Sequence, residues 1–283
     1  MRKVILSVTV LVFISLNSNS QTGWFQQSSG VTASFSSVFF IDINTGYTVG
    51  YAGGTILKTT NGGINWINIS IGGSGFNSVY FIQNTGYVVG NSGIIYKTIN
   101  AGLSWVSQTS GTPFHLYSVF FVDVNTGYIT GHDLDPPNSV MRKTTNGGTT
   151  WLSVPFPPSS YGLRILFFFN GNTGFAGGRF GVIIKTTNGG SSWSSQYLLP
   201  NQTMFLSIYF ADLNTGYTAG GEPFTGGQIF KTTNAGMNWT VQLSGLTNTY
   251  LYSVHVPLQT GSDTVYMVGQ NGRILQTTNA GTT

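Results

Sequence analysis

The chain has 283 residues, of which 6% are charged, 14% are aromatic and 39 are glycine, and it contains no cysteine. This composition excludes an intrinsically disordered chain, which would be poor in aromatic residues, and it excludes a fold held by disulfides. The formal net charge is +4, and subtracting the positive charges of Arg2 and Lys3 leaves +2, so no basic surface for nucleic acid is indicated.

Residues 1–20 have the pattern of a secretory signal peptide. Arg2 and Lys3 precede an apolar stretch at residues 4–16, and Ser18 and Ser20 place small side chains before a predicted cleavage at Gln21. A membrane anchor needs about 20 apolar residues, so this stretch is too short to be one. We therefore expect residues 21–283 to be secreted to the cell exterior or cell surface, with the periplasm as the alternative, and to have no membrane span.

Two short motifs recur in phase along residues 21–283. The first runs from Lys58 to Trp66 and contains an Asn-Gly-Gly turn, and its later copies begin at Lys97, Lys143, Lys185, Lys231 and, without a tryptophan, at Gln276. The second, Asn-Thr-Gly-Tyr in its first copy, begins at Asn44, Asn84, Asn125, Asn172 and Asn214, and is degenerate around Thr260. Successive motif tryptophans are 39 to 46 residues apart, which is the length of one propeller blade.

Each repeat reads as four short antiparallel strands. In the first repeat we expect strands at residues 38–41, 47–50 and about 55–60, and a fourth strand that contains Trp66. The glycine of the Asn-Thr-Gly turn is expected to take a positive φ, and the Asn-Gly pair is a strong hairpin signal. One blade cannot bury both faces of its sheet, whereas a ring of blades can. The sequence therefore predicts an all-β, six-bladed propeller over residues 21–283.

The two ends of the repeat array complement each other. Trp24 has no turn motif before it, and the last turn motif has no tryptophan after it. We therefore expect residues 24–27 to supply the fourth strand of the last blade and so to close the ring. The alternative is a chain truncated at its C-terminus, which would permit a seventh blade or a further domain.

These motifs resemble a known family. Thr59-x-Asn61-x-Gly63-x-x-Trp66 is similar to the Asp-box (BNR) repeat, and the linked pair of motifs more closely resembles the photosystem II assembly/stability-factor-like repeat of secreted bacterial proteins and thylakoid assembly factors. Each box has asparagine where the Asp-box has aspartate, which keeps the hydrogen-bond acceptor and removes the charge. The resemblance implies a propeller and, less directly, an assembly role, because one fold hosts many functions.

Residues that recur around the ring are expected to be structural. The motif asparagines and tryptophans belong to this group: Asn61, Trp66, Asn100, Trp105, Asn146, Trp151, Asn188, Trp193, Asn234 and Trp239. The same holds for the motif lysines and for Asp42, Asp123 and Asp212, and His255 is expected to replace a core aromatic residue.

Residues outside the pattern fall mostly in the loops after the second and the fourth strand of a repeat, on the face opposite the repeated turns. Such loops carry function on rigid scaffolds. They give the candidate binding residues: His115, His132, Asp133, Asp135, Tyr161, Arg164, Arg179, Glu222 and Arg273. Loops that are merely tolerated remain an equal alternative.

The leading functional prediction is a non-enzymatic scaffold that binds a protein or a surface polysaccharide, as a monomer or as part of a longer surface protein. The alternative is a glycoside hydrolase, which needs two facing carboxylates. Glu222 could face Asp133 and Asp135 across the mouth of the ring, but no motif supports this pairing. A passive spacer is a third possibility. No metal, cofactor or catalytic motif is indicated.

Overall fold

A computed structural model describes residues 27–133, 138–158, 160–198, 203–222, 226–242, 249–257 and 263–282. These ranges contain 23 strands and two short 3₁₀ turns, Asn91–Gly93 (η1) and Gln270–Gly272 (η2). The strands form six separate antiparallel sheets, each built from strands that are consecutive in the chain. No helix within the described ranges has the length and apolar character needed to cross a bilayer.

Each sheet is one blade, and its strands A to D follow in chain order. The strands are, blade by blade, β1 Phe35–Phe40, β2 Gly46–Gly50, β3 Ile56–Thr59 and β4 Ile67–Asn68; β5 Phe76–Ile82, β6 Thr85–Gly90, β7 Ile95–Thr98 and β8 Val106–Gln108; β9 His115–Phe121, β10 Gly127–His132, β11 Ser139–Thr144 and β12 Leu152–Ser153; β13 Ile165–Phe168, β14 Gly174–Gly177, β15 Val182–Thr186 and β16 Ser194–Tyr197; β17 Met204–Phe210, β18 Gly216–Glu222, β19 Gly226–Thr232 and β20 Thr240–Gln242; β21 Leu251–His255, β22 Val265–Gly269 and β23 Ile274–Thr277.

The protein is a six-bladed β-propeller, as predicted. Strand A of every blade contributes to one central channel, because residues from all six A strands line a single cavity. Five blades have four strands, and the sixth has three in the described part of the chain. The predicted closing strand falls mostly on residues 24–26, which lie outside the described ranges. In the first repeat, strand A begins three residues earlier than expected, and strand D begins just after Trp66.

The glycine of the Asn-Thr-Gly turn has a different role from the one predicted. Gly46 and Gly86 are not among the residues with positive φ. A Cβ atom at Gly86 would lie 2.3 Å from the ring of Phe81, and one at Gly46 would lie 2.6 Å from the ring of Phe40. Glycine is therefore required here because an aromatic ring of strand A lies over it. Positive φ occurs instead in the Asn-Gly-Gly turn, as at Gly62 and Gly63.

A polar contact joins neighbouring blades at five seams, and four of these seams also have an aromatic stack. Between blades 2 and 3, the ring of Tyr87 stacks on Phe121 at 3.9 Å, and both the Tyr87 hydroxyl and Lys97 Nζ donate to the carbonyl of Gly147 at 2.8 and 2.6 Å. The lysine bond recurs at four more seams, from Lys58 to Ala101, Lys143 to Gly189, Lys185 to Ala235 and Lys231 to Ala280. The motif lysines are therefore structural.

The seam between blades 6 and 1 differs from the other five. Phe35, Val38 and Phe40 on strand A of blade 1 are 40%, 61% and 43% exposed, while the equivalent residues of the other blades are buried. Gln27 nevertheless contacts Gly63 of blade 1, as Gln108 of blade 2 contacts Gly148 of blade 3. Gln27 follows Trp24 by three residues, as Gln108 follows Trp105, so this contact is consistent with a strand D that begins near Trp24. The closing strand itself stays a prediction.

The Asn-Gly-Gly turn is held by the threonine and the asparagine of its motif. In blade 3, the Thr144 hydroxyl accepts the N–H groups of Asn146 and Gly148, and Asn146 Oδ1 accepts the N–H of Thr150. The following tryptophan, Trp151, meets Phe121 edge to face at 5.9 Å. Asparagine satisfies these donors without a negative charge, which explains how this repeat works without the aspartate of the Asp-box.

Candidate binding site at the mouth of the central channel

The two faces of the propeller are built from different connections. On one face, the turn between strands A and B touches the turn between strands C and D, as where the Gly62 N–H donates to the Asn44 carbonyl at 2.9 Å. The same bond recurs in all six blades. We call this the turn face. The loops between B and C and between D and A reach the opposite end, which we call the loop face. The predicted division of the connections between two faces is confirmed.

The central channel has a volume of about 450 Å³ and changes its character toward the loop face. One channel-lining position of strand A is serine in five blades, Ser37, Ser78, Ser118, Ser207 and Ser253. The preceding position lies one residue nearer the loop face and holds five different residue types in six blades, with tyrosine occurring twice. These residues are Ser36, Asn77, Tyr117, Arg164, Leu206 and Tyr252. Variation among the repeats is therefore concentrated at the mouth of the channel.

Three side chains from blades 3 and 4 form a layered cluster at this mouth. The guanidinium carbon of Arg164 lies 4.3 Å from the centre of the Tyr117 ring, and the Tyr117 ring stacks on His132 at 4.5 Å. Arg164 also directs one nitrogen to the sulfur of Met204 at 3.7 Å. Among the described residues it makes no ion pair, so its charge is balanced by the face of an aromatic ring and not by a carboxylate.

His132 is the buried member of this cluster, with 1% of its surface exposed. Its Nδ1 lies 2.8 Å from the Asp133 carbonyl, which can only accept, so Nδ1 carries the proton of the neutral ring. Nε2 is then an acceptor, and it is buried without a partner among the described residues. Burial, together with the positive charges of Arg164 and Arg179 and with His115, lowers the pKa of His132 to about 4, although the Asp133 carbonyl opposes this.

Arg179 and Tyr51 extend the cluster. Burial raises the pKa of Tyr117, while the charges of Arg164 and Arg179 act in the opposite direction and Tyr51 adds to the rise. Arg179 follows strand B of blade 4 and Tyr51 follows strand B of blade 1, so both lie on the loop face. The mouth is therefore a positively charged, partly desolvated, aromatic site.

The structure brings several predicted binding residues together. His115 and His132 are register partners on β9 and β10, and Arg164 and Arg179 complete the group. His132 and Glu222 were expected in loops, but each is the last residue of a strand, because pairing of B with C continues to the loop face. This placement corrects the prediction and puts His132 in the blade interior.

The remaining predicted residues lie around or beyond this group. Asp133 is partly exposed beside His132, and its N–H donates to the Asn138 carbonyl. Tyr161 is exposed on the loop between blades 3 and 4. Arg273 is exposed after η2 of blade 6. Asp135 lies outside the described residues, and the side chain of Glu222 is not described, so the pairing of Asp133 with Glu222 stays a prediction.

Sequence reasoning missed Tyr117, Tyr51 and Phe180. Alignment of the repeats contains the signal for Tyr117, because the position before the channel serine is the one that differs from blade to blade. His255 was expected in the core, but it is exposed on β21 and contacts the Tyr209 ring at 5.1 Å. Within the described ranges, no group of three or more histidine, aspartate or glutamate side chains has the geometry to hold a metal ion.

Comparisons with known proteins agree with the fold. A family model described as Photosynthesis system II assembly factor YCF48 matches residues 16–113 and 104–250. A solved YCF48 bound to D1 peptide is 17% identical, with 89% of this chain and 95% of that chain covered and a TM-score of 0.54. YCF48 from Cyanidioschyzon merolae is 15% identical, with 87% and 95% covered and a TM-score of 0.53.

An enzyme also shares the architecture. The GH74 enzyme of Niastella koreensis is 17% identical, with 87% of this chain and 45% of that chain covered and a TM-score of 0.68. At these identities the likeness to solved structures shows the fold alone. A comparison with curated protein sequences found no match.

Proposed function

This chain belongs to the family of the photosynthesis system II assembly factor YCF48, and we propose that it is a non-enzymatic scaffold that holds an acidic peptide segment of a client protein at the loop-face mouth of its channel. The family supports a binding or assembly role. A YCF48 structure bound to D1 peptide supports protein as the class of partner. The finer assignment, to an acidic segment at this mouth, rests on the geometry of the chain itself.

One observation carries the proposal: the Arg164 guanidinium lies over Tyr117 at the mouth and makes no ion pair among the described residues. Stacking on an aromatic face holds the guanidinium in one orientation while leaving its N–H donors available. Arg179 adds a second positive charge nearby. A carboxylate that reaches this site gains charge-assisted hydrogen bonds at a partly desolvated position, where such bonds are strongest.

Other features of the cluster favour a peptide over an isolated anion. Nε2 of His132 is an acceptor without a partner among the described residues, and a peptide N–H is a donor of the kind it lacks. Tyr252, which lines the channel, and Tyr51, on the loop face of blade 1, are each about half exposed and offer apolar surface. A peptide that crosses the mouth would contact positive charge, a hydrogen-bond acceptor and aromatic rings together.

We also propose that the protein acts outside the cytoplasm as a monomeric or tethered module. The support is the sequence pattern of residues 1–20, with Arg2 and Lys3 ahead of an apolar stretch. Fractionation of cells that express the full chain tests this: the protein should appear in the exterior, surface or periplasmic fraction. Replacing residues 4–16 with polar residues should retain it in the cytoplasm.

The binding proposal is tested by selecting a phage-displayed library of random dodecapeptides on the intact protein. We expect acidic peptides to be enriched, and their synthetic versions to bind about tenfold more weakly to Arg164→Gln by fluorescence polarisation. Arg142→Gln is the matched control, because Arg142 donates to the carbonyls of Ser110 and Gly111 and its loss changes the net charge equally. Equal loss in both variants would reduce the effect to net charge and remove Arg164 from the site.

A screen with chromogenic glycosides and a glycan array tests the two alternatives, a glycoside hydrolase and a glycan-binding protein. Turnover that disappears in Asp133→Asn/Glu222→Gln would make the protein a glycoside hydrolase and would overturn the scaffold proposal. Glycan binding without turnover, in the absence of any selected peptide, would make a surface polysaccharide the partner.

A further inference from the structure

Two aromatic side chains form an exposed corner on the loop face of blade 4. Tyr161 and Phe180 are 44% and 46% exposed, their ring centres lie 6.0 Å apart, and their planes meet at 88°. Two rings at a right angle present two apolar walls to solvent. The edge-to-face contact fixes the two rings relative to each other, and exposed aromatic surface of this kind is enriched at binding surfaces.

The backbone of Phe180 is strained. Its φ is +59°, in the left-handed region. The same turn position holds Ser92 in blade 2 and Asn271 in blade 6, with φ of +57° and +60°, each followed by a glycine. Asparagine adopts this conformation readily, whereas a bulky aromatic residue rarely does. An aromatic side chain is therefore kept at a position where blades 2 and 6 use small polar residues, and such strain is common at ligand sites.

The corner is held by hydrogen bonds from both sides. The N–H of Arg179 donates to the Tyr161 carbonyl at 3.0 Å, which ties together the two loops that carry the rings. The N–H of Gly181 donates to the Thr203 carbonyl at 2.7 Å, which anchors the turn to blade 5. Gly178 permits this close approach, because a Cβ there would lie 2.5 Å from the Tyr161 carbonyl oxygen. The rings are therefore presented on a fixed backbone.

The corner adjoins the positive charge of the mouth. Arg179 precedes Phe180 and its side chain lies against Gly162, the residue after Tyr161. The N–H of Arg164 donates to the Gly177 carbonyl at 2.8 Å, which holds the cluster arginine against the strand that leads to Arg179. Like Arg164, Arg179 makes no ion pair among the described residues. Apolar surface and uncompensated positive charge are thus continuous along one side of the mouth.

We propose that Tyr161 and Phe180 form a specificity pocket for an aliphatic or proline side chain that lies close to the acidic residue of the bound peptide. This inference rests on the proposed function and names the feature that selects among acidic peptides. Two perpendicular walls enclose a compact apolar side chain on two sides. A sugar ring would instead stack on one wall and need carboxylate or amide partners beside it. The described residues next to the two rings, Ser160, Gly162, Arg179 and Gly181, carry neither group.

The test compares the intact wild-type protein with Phe180→Asn, which gives blade 4 the residue that blade 6 uses. The random dodecapeptide library is selected on both proteins. We expect wild type to enrich peptides that combine an acidic residue with a nearby aliphatic residue or proline, and Phe180→Asn to keep the acidic preference and lose the apolar one. Replacing the apolar residue of a selected peptide by alanine should weaken its binding to wild type about tenfold and to Phe180→Asn by less than twofold.

Thermal unfolding separates this effect from misfolding. Phe180→Asn should unfold at the same or a higher temperature, because asparagine relieves the strained turn. Tyr197→Ala removes an aromatic residue of similar exposure from the outer strand β16, and it should leave peptide binding unchanged.

The outcomes that overturn the inference are distinct from those that overturn the proposed function. Acidic peptides selected without an apolar preference, or with the same preference on Phe180→Asn, would remove the pocket and leave the scaffold intact. A library that yields no peptide would remove both. Glycan binding that Phe180→Asn abolishes would make the corner a sugar platform.

Discussion

The seam between blades 2 and 3 and the seam between blades 6 and 1 involve equivalent repeat positions, but the side chains are buried at the first seam and exposed at the second. At the first seam, Phe121 is 2% exposed and stacks on Tyr87. At the second, the equivalent Phe40 is 43% exposed. Tyr266, the equivalent of Tyr87, accepts a hydrogen bond from Gln276 within its own blade at 2.9 Å.

This difference shows where the stability of the ring comes from. The side chains of a blade become buried only where a neighbour presents the matching face, since each sheet has two apolar faces and no interior of its own. Where the lysine and tyrosine donors reach the next blade, the seam is closed by packing and by hydrogen bonds together. Where glutamine replaces lysine, as at Gln276, this polar contact is not made with blade 1 in the described part of the chain.

The largest expected effect contrasts the two seams directly. Phe121→Ala should lower the free energy of unfolding by about 3–5 kcal/mol, because it removes a buried ring from between Tyr87 and Trp151. Phe40→Ala should cost about 1 kcal/mol, since much of its ring is already in water. Urea unfolding followed by circular dichroism measures both. Equal losses would show that the seam between blades 6 and 1 is as tightly closed in solution as the seam between blades 2 and 3.

A second contrast compares His132, which is buried in the interior of blade 3, with His255, which is exposed on β21 of blade 6. The pKa of His132 falls from 6.5 to about 4 in the folded protein, so between these pH values the unfolded chain binds a proton that the folded chain does not. The free energy of unfolding should therefore fall as pH is lowered from about 6.5 to 4, by about 3 kcal/mol at most. Below pH 4 the contribution of His132 should no longer change.

His132→Asn should flatten this part of the pH profile, which thermal unfolding at pH 7 and pH 4.5 measures. Partial desolvation also lowers the pKa of His255, so His255→Asn should flatten the profile in the same direction but by less, because this side chain keeps more of its surface in water than His132 does. Backbone hydrogen bonds hold the pKa of Asp42 below its ordinary value of 3.8, so its contribution is lost only at lower pH. An unchanged slope in His132→Asn would contradict the assignment of the transition to His132.

The smallest expected effect concerns the hydroxyl group at the seams. Tyr128 donates to the Gly189 carbonyl at 2.8 Å, whereas blade 4 has Phe175 at this position and only Lys185 reaches the Ala235 carbonyl. Tyr128→Phe should cost about 1 kcal/mol, and Phe175→Tyr should gain up to about 1 kcal/mol, because one hydrogen bond is lost or made. Loss of stability in Phe175→Tyr would mean that this seam has no room for the hydroxyl.

Much of the propeller could be predicted from the sequence because its repeats are local and in phase. The Asn-Gly-Gly turns, the spacing of the tryptophans and the division of connections between two faces all follow from short motifs whose backbone preferences are strong. The glycine of the Asn-Thr-Gly turn was misinterpreted because its role is to make room for the ring of Phe81 or its equivalents, a contact between two strands that a turn motif does not reveal.

By itself, the sequence determined the number of blades, the four-stranded plan and the structural residues of each repeat, since periodic motifs encode one unit many times. It also separated the irregular residues from the repeated ones. Only the tertiary structure decided which of these irregular residues meet. Arg164, Tyr117 and His132 belong to different strands or blades, and their stacking depends on how neighbouring blades are placed around the channel. Burial of His132, exposure of Phe40 and the right angle between Tyr161 and Phe180 likewise depend on neighbours that are distant in the chain, which local preferences do not specify.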